Sequence, residues 1–200
     1  MAWRRSGVRV SHGPKINLNN MKILIFILIA LAIIVGGFFA YRGYFKPKYI
    51  DVKGADSFDE CVAQNNVIQA IYPAVCIDKT GKSFTQDIGN ELEKVDLIKV
   101  DNPRPNALIS SPLNITGQAR GKWFFEASFP VKLFDSNDQL VAEGIAQAEG
   151  DWMTDNFVPF KLSLDFTIPS TSKGKLILQK DNPSGQKELD DSLIIPITFY

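Results

Sequence analysis

The chain has 200 residues, with 22 Lys/Arg balanced by 22 Asp/Glu, one histidine and two cysteines. The balance hides a split: residues 1–48 hold eight basic and no acidic residues, so residues 49–200 hold 14 basic against 22 acidic, a net of −8. A negative C-terminal part is a poor partner for phosphate, which argues against nucleic acid as a ligand. The one histidine, His12, precedes the long apolar run, so that part has neither a histidine base nor a histidine metal ligand.

Residues 23–41 read ILIFILIALAIIVGGFFAY, without a charge, between Lys22 and Arg42. At a helical rise of about 1.5 Å per residue the run spans roughly 28 Å, close to one hydrocarbon core. The expectation is a single transmembrane anchor over 22–42, behind a cytoplasmic tail over 1–21. Met21-Lys22 also reads as an alternative start of translation. A cleaved signal peptide competes with this reading. However, the run exceeds the usual apolar length, and Phe38-Phe39-Ala40 lacks a small residue at the minus-three position. Arg4, Arg5, Arg9, Lys15 and Lys22 before the run, against Arg42, Lys46 and Lys48 after it, favour an inside N-terminus. The expected location is therefore the cell membrane, single-pass, with the C-terminal domain extracytoplasmic. Ala32, Gly36 and Ala40 recur every four residues, so they share one helix face on which another helix can pack. That makes homo-oligomerisation through the anchor an expectation, although small residues are also common in membrane helices.

A stalk over 43–54 leads to a small α+β module over 55–93. Ser57-Phe58-Asp59-Glu60 has capping-box spacing and predicts a short helix carrying Cys61. Ile68 to Ile77 reads as one apolar strand carrying Cys76, Asp78 to Gly81 as a turn, and Lys82 to Thr85 as a returning strand. A Cys61–Cys76 disulfide would close a loop of about 16 residues, worth around 3 kcal/mol in the chain-entropy model. A metal site lacks further ligands, and a redox pair lacks C-x-x-C spacing. The disulfide suits an oxidising compartment outside the cytoplasm.

From residue 94 to 200 the apolar period becomes two. Trp123, Phe125, Ala127, Phe129, Val131 and Leu133 alternate with polar neighbours, as do Val158, Phe160, Leu162, Leu164, Phe166 and Ile168, and then Leu193, Ile195, Ile197 and Phe199. Strands are expected near 96–100, 107–110, 113–119, 123–134, 139–149, 158–168, 174–180 and 192–199, the last two as a hairpin. Many short strands with regular turns predict a mainly β chain whose C-terminal part is an Ig-like antiparallel β-sandwich. Pro130, Pro159 and Pro196 fall on outward positions and are expected at edges or bulges.

Ile109-Ser110-Ser111-Pro112, Ile115 to Gly121 and Trp123 to Val131 resemble the opening of the immunoglobulin-like domain of bacterial spore germination, a family also known as a domain associated with the GerMN domain. Ala142 to Ala148, Gly150 to Thr154 and Phe157 to Phe160 are similar to its second half. The resemblance covers about 107–199. It implies a β-sandwich outside a bacterial membrane, beside varied partner domains, and no catalytic residue. The two-cysteine module resembles short cysteine-pair segments of bacterial envelope proteins.

The candidate binding surface is Trp123, Phe124, Trp152 and Phe157. Adjacent residues of a strand face opposite sides, so one of Trp123 and Phe124 is expected to be exposed. Trp152 and Phe157 lie in an aromatic-rich connection that either binds a ligand or plugs an open end of the fold. Asp135, Asn137 and Asp138 lack the glycine and distal Glu of a calcium loop and read as a hairpin turn. Ser170 to Lys173 fits S-x-x-K and Lys79-Thr80-Gly81 fits K-T-G, but in reversed order and without S-D-N. The expectation is a non-catalytic envelope protein, without cofactor or metal, that binds a protein or a cell-wall polymer. The alternative is an accessory subunit with the sandwich as spacer, and more remotely an envelope hydrolase.

Overall fold

The computed structural model of the protein describes residues 18–44 and 53–200. Most of the expected tail over 1–21, and Lys46 and Lys48 of the stalk over 43–54, lie outside the described residues. The chain divides into two compact units, Met1–Asp51 and Val52–Tyr200.

In the first unit the apolar run forms one helix, α1 (Leu18–Tyr44), 27 residues long. Over Asn19–Tyr44 it has the length and composition of a membrane span, a test that a signal sequence also passes.

The second unit opens with α2 (Phe58–Ala63). The Ser57 hydroxyl accepts the Glu60 amide, an orphan donor of the first turn, and the Glu60 carboxylate reaches back to accept the Asp56 amide just ahead of the cap at 2.9 Å. The expected single strand over 68–77 is instead two: β1 (Val67–Gln69) and β2 (Val75–Ile77). Pro73 has no N–H to give a ladder, and the chain reverses through Ala70–Ala74. With β3 (Ser83–Thr85) they make an antiparallel sheet of order β1-β2-β3. Cys61 and Cys76 are joined by a disulfide with Cα atoms 6.1 Å apart, fully buried with Ala55 and packed by Phe58, Val62 and Phe84. So few apolar groups make a small core, and the covalent staple supplements it. A one-turn helix, α3 (Glu91–Lys94), ends the module.

Eight further strands follow: β4 (Ile98–Asn102), β5 (Leu108–Ile109), β6 (Leu113–Arg120), β7 (Ser128–Asp135), β8 (Leu140–Ala148), β9 (Phe157–Leu164), β10 (Lys173–Gln179) and β11 (Ser192–Phe199). They form one sheet of order β4-β6-β9-β8-β7-β10-β11-β5. β10 and β11 pair as the expected hairpin. The sheet is mixed rather than wholly antiparallel, because the short edge strand β5 runs parallel to β11. β8 meets β9 at only two residue pairs, Gln147↔Lys161 and Ala148↔Phe160. This narrow seam lets the sheet curl over itself, and strands that are not sheet neighbours meet in the core. Phe129 of β7 and Phe160 of β9 are edge to face at 4.9 Å between centroids. Ile98, Ile115, Leu133, Leu176, Leu193 and Ile195 join them in one fully buried cluster.

The strand expected over 123–134 begins only at Ser128. Gly121–Trp123 form a 3-10 turn, and Glu126 and Ala127 both have positive φ, 50° and 61°. Phe125 and Ser128 exchange two backbone hydrogen bonds of 3.0 and 3.1 Å, closing a tight turn inside the expected strand. The strand expected over 158–168 leaves the sheet after Leu164, and Phe166 instead packs on Phe199. The three prolines lie in internal strands, not at edges, yet each spares the ladder. Pro159 and Pro196 carry their carbonyls, and hence their missing N–H, on the side away from their fully paired neighbours, where those carbonyls accept Glu149 and Asn106 amides at 2.7 Å. Pro130 lies one residue beyond the β7–β10 pairing.

Candidate functional site

Loop 149–156, between β8 and β9, covers one end of the curled sheet. Its backbone lies so close to Gly121 that an added Cβ would stand 2.0 Å from the Thr154 carbonyl oxygen and 2.1 Å from that of Trp152. Glycine is required there by close approach. Arg120 holds the loop from below, donating from its guanidinium to the Asp155 carbonyl at 2.8 Å and to the Asp96 carbonyl at 2.7 Å. The same guanidinium sits 4.5 Å from the Phe157 ring centre, and the Lys99 ammonium 4.7 Å from it. Phe157 is therefore held by two cations and half-buried.

Trp123 and Phe124, expected to split between the two sides of a strand, are both buried in the core. The turn at 121–123 places them outside the period-two rule, so neither is exposed on a strand face. Trp123 Nε1 is the one buried side-chain polar atom without a hydrogen-bond partner among the described residues. Trp152 is half-buried against the core edge, as a plug would be. With Gly121, Lys122, Phe124 and Met153 to Asp155 it lines an open cleft of about 300 Å³. Met153, which no pattern in the sequence marks as a contact residue, is 76% exposed at the loop tip, where its amide donates to Asp151 Oδ1 at 3.0 Å.

A larger cleft, about 620 Å³, lies where the cysteine module meets β10 and β11. Ser57, Phe58 and Asp59 line one side, Lys173, Gly174 and Pro196 the other. Lys173, of the S-x-x-K match, is ion-paired with Asp59 across it. Beside it, Asn90 grips β11 like a strand end: its Oδ1 accepts the Ile194 amide at 2.7 Å and its Nδ2 donates to the Ser192 carbonyl at 2.9 Å. Gly89, at φ +68°, permits the approach, because a Cβ there would be 1.9 Å from the Ile194 oxygen.

Two carboxylates of the module are strongly tied. Asp78 accepts from the Thr80 hydroxyl at 2.6 Å and from the amides of Ala55, Thr80 and Lys82 at 2.8–3.0 Å. The Thr80 hydroxyl above all, with these amides, draws its carboxyl down to about 2. Glu91 is buried, bonded to the Tyr72 hydroxyl and to Arg104 at 2.6 Å. Burial, and then the bond to Glu91, push the Tyr72 phenol up to about 12. No periodicity marks this trio, since its members lie on three separate segments. Asp135, expected in a hairpin turn, accepts the Asn137 and Gln139 amides at 2.8 and 2.9 Å and so closes that turn. Among the described residues no group of three or more His, Cys, Asp or Glu is placed to hold a metal ion. Ala32, Gly36 and Ala40 lie on α1, where Gly36 has open space around it.

A mainly β domain with a curled, Ig-like sheet, carrying a disulfide module and preceded by an apolar helix, is the class this geometry defines. Residues 97–186 match the family model of the immunoglobulin-like domain of bacterial spore germination. The match begins at the end of the module and stops before β11, which supplies four buried core residues to the same sheet. No curated protein and no solved structure matches the chain.

Proposed function

We propose that the protein is a non-catalytic, membrane-anchored bacterial envelope protein, with residues 53–200 outside the cytoplasm making contact with a protein or a cell-wall polymer. The observation that carries this reading is the pairing of a 26-residue apolar helix with a buried disulfide and a segment similar to the germination Ig-like family. The helix supplies a span, the disulfide suits an oxidising compartment, and Ig-like sheets serve as rigid carriers of contact surfaces. The cleft under Trp152 and Met153 is the contact point this reading favours on the sheet. The spacer reading is favoured by the burial of both Trp123 and Phe124, where the sequence predicts one of them exposed.

The test uses the full chain with a C-terminal tag. It should stay in the membrane after an alkaline carbonate wash, and protease added to intact spheroplasts should digest the domain. Release by carbonate, or digestion only after lysis, would overturn the location. Cell-wall sacculi and envelope extract are then offered to the detergent-solubilised protein. Capture that Met153→Ala with Trp152→Ala abolishes supports the loop, whereas no capture by either supports the spacer.

A further inference from the structure

We propose that strand β1 is a self-association edge, on which a second copy of this chain adds its own β1 in antiparallel pairing. The inference rests on the membrane-anchored reading for the concentration at which copies meet, and on the β1 edge for the contact itself.

β1 is the outer strand of the module's sheet. Residues 67–72 are exposed without a break, although the segment is largely apolar: Val67 is 69% exposed, Ile68 48%, Ile71 60% and Tyr72 51%. Native edge strands are usually blunted by charge. The opposite edge of this sheet has Lys82 beside β3, and the β4 edge of the large sheet has Lys99 and Asp101. By contrast, residues 62–77 contain no Asp, Glu, Lys or Arg.

The direction of the free hydrogen-bonding groups follows from the ladder. The Asp78 amide donates to the Lys82 carbonyl, and the Gln86 amide donates to the Ala74 carbonyl. Residues 74, 76 and 78 therefore bond towards β3, and residues 75 and 77 face β1. Because Cys76 sits opposite Ile68, with Val75 and Ile77 opposite Gln69 and Val67, the N–H and C=O of Ile68 point off the open edge. Two copies related by a two-fold axis through Ile68 would exchange both of those bonds, and each Ala70 amide would reach the partner's Asn66 carbonyl.

The occupant follows from chemistry. A lipid surface would cover the apolar side chains but leave the edge N–H and C=O groups unpaired, and open sheet edges do not enter hydrocarbon. A second copy satisfies them. Residues 49–200 carry 14 basic against 22 acidic residues, so copies repel over most of their surface, and the uncharged strip is where they meet without like charges opposed. The strand is short, so the contact is weak in dilute solution. Confinement of copies to one membrane raises their effective concentration and makes a weak contact count.

The test uses the full chain in its own membranes, with the native disulfide intact. Ile68→Cys, treated with a short bifunctional maleimide, should give several-fold more covalent dimer than Ser83→Cys on the opposite edge of the same sheet. Ile68→Lys, which opposes two ammonium groups, should lower energy transfer between differently labelled copies. Equal, low cross-linking at 68 and 83 overturns the inference. So does an adduct of 68 with some other protein in place of the dimer. Thiol labelling at 68 that is blocked until detergent is added, with no dimer formed on cross-linking, would point to lipid and also overturn it. A carbonate wash of the same sample reads the anchoring separately, so that release with the dimer retained would sink the anchor and keep the edge.

Discussion

At the scale of single residues, the backbone at Glu126 and Ala127 is the clearest place where the chain holds a conformation its side chains resist. Both have φ near +50° to +60°, the left-handed region that disfavours residues with a Cβ. They hold it because Phe125 and Ser128 close the turn and the Ala127 carbonyl accepts the Ala148 amide at 2.8 Å. Ala127→Gly should therefore stabilise the domain by about 0.5–1 kcal/mol, read as a higher denaturant midpoint at unchanged slope. Destabilisation instead would mean that the Ala127 methyl packs usefully. Phe129, two residues on, is fully buried between Phe124 and Phe160 at 5.3 and 4.9 Å. Phe129→Ala should cost about 3–5 kcal/mol by transfer and cavity terms. Asp165→Ala, exposed just beyond β9, should stay within about 0.5 kcal/mol. Comparable losses at the two positions would contradict the register.

At the scale of elements, the legible parts were those with a local period. β9 and β11 alternate along their lengths, and the expected strands match them closely because burial of one face dictates every second residue. The turn inside 123–134 was not legible, since Glu126-Ala127 carries none of the glycine or asparagine that marks such turns. Nor was the parallel pairing of β5 with β11, because register between segments some 90 residues apart leaves no local pattern. The candidate surface suffered from the first of these: once the turn is in place, Trp123 and Phe124 belong to the core. In the cysteine module, helix and staple were readable from Ser57, Cys61 and Cys76, but the role of Asp78 was not. Its carboxylate gathers the Ala55, Thr80 and Lys82 amides, tying the entry of the module to its hairpin turn. The folded state holds its pKa near 2, below the ordinary value near 4. A depressed carboxylate contributes stability that is complete above the unfolded value and is lost as pH falls through the folded one. Protection of the Ala55 and Lys82 amides from hydrogen exchange should accordingly fall between about pH 4 and pH 2, after correction for the intrinsic rate. Asp78→Asn should flatten that dependence. Unchanged protection down to pH 2 in the parent chain would remove Asp78 as the tie.

At the scale of the whole globular unit, the question is whether module and sheet unfold as one. Their join is made by a few specific bonds rather than by a wide apolar face. The two core clusters share no buried residue, and the cleft of about 620 Å³ separates part of the two surfaces. What binds them is Asn90 on β11, Arg104 to Glu91 at 2.6 Å and to the Tyr72 hydroxyl at 3.0 Å, Lys94 to Asp191 at 2.6 Å, Lys173 to Asp59, and the Asn106 side-chain amide donating to the Asp87 carbonyl at 2.6 Å. The Lys94 and Lys173 pairs involve at least partly exposed groups and are worth little individually. Asn90 is different, because its one side chain satisfies both an N–H and a C=O of β11 at half-buried positions. Asn90→Ala leaves both groups short of a partner, at a cost of about 1–3 kcal/mol. That cost should fall on the join and not on either core. Hydrogen exchange should then speed at Ile194 and across 87–94, while Leu176 and Leu178 of β10 stay as protected as before. Thermal unfolding should broaden or split, since a weaker join lets the module melt below the sheet. Asn90→Asp keeps the acceptor to the Ile194 amide and loses only the donor to Ser192, so it should fall between the parent and Asn90→Ala. A single sharp transition in Asn90→Ala, with exchange rising equally in both cores, would show that the unit is held as one body by contacts other than this side chain.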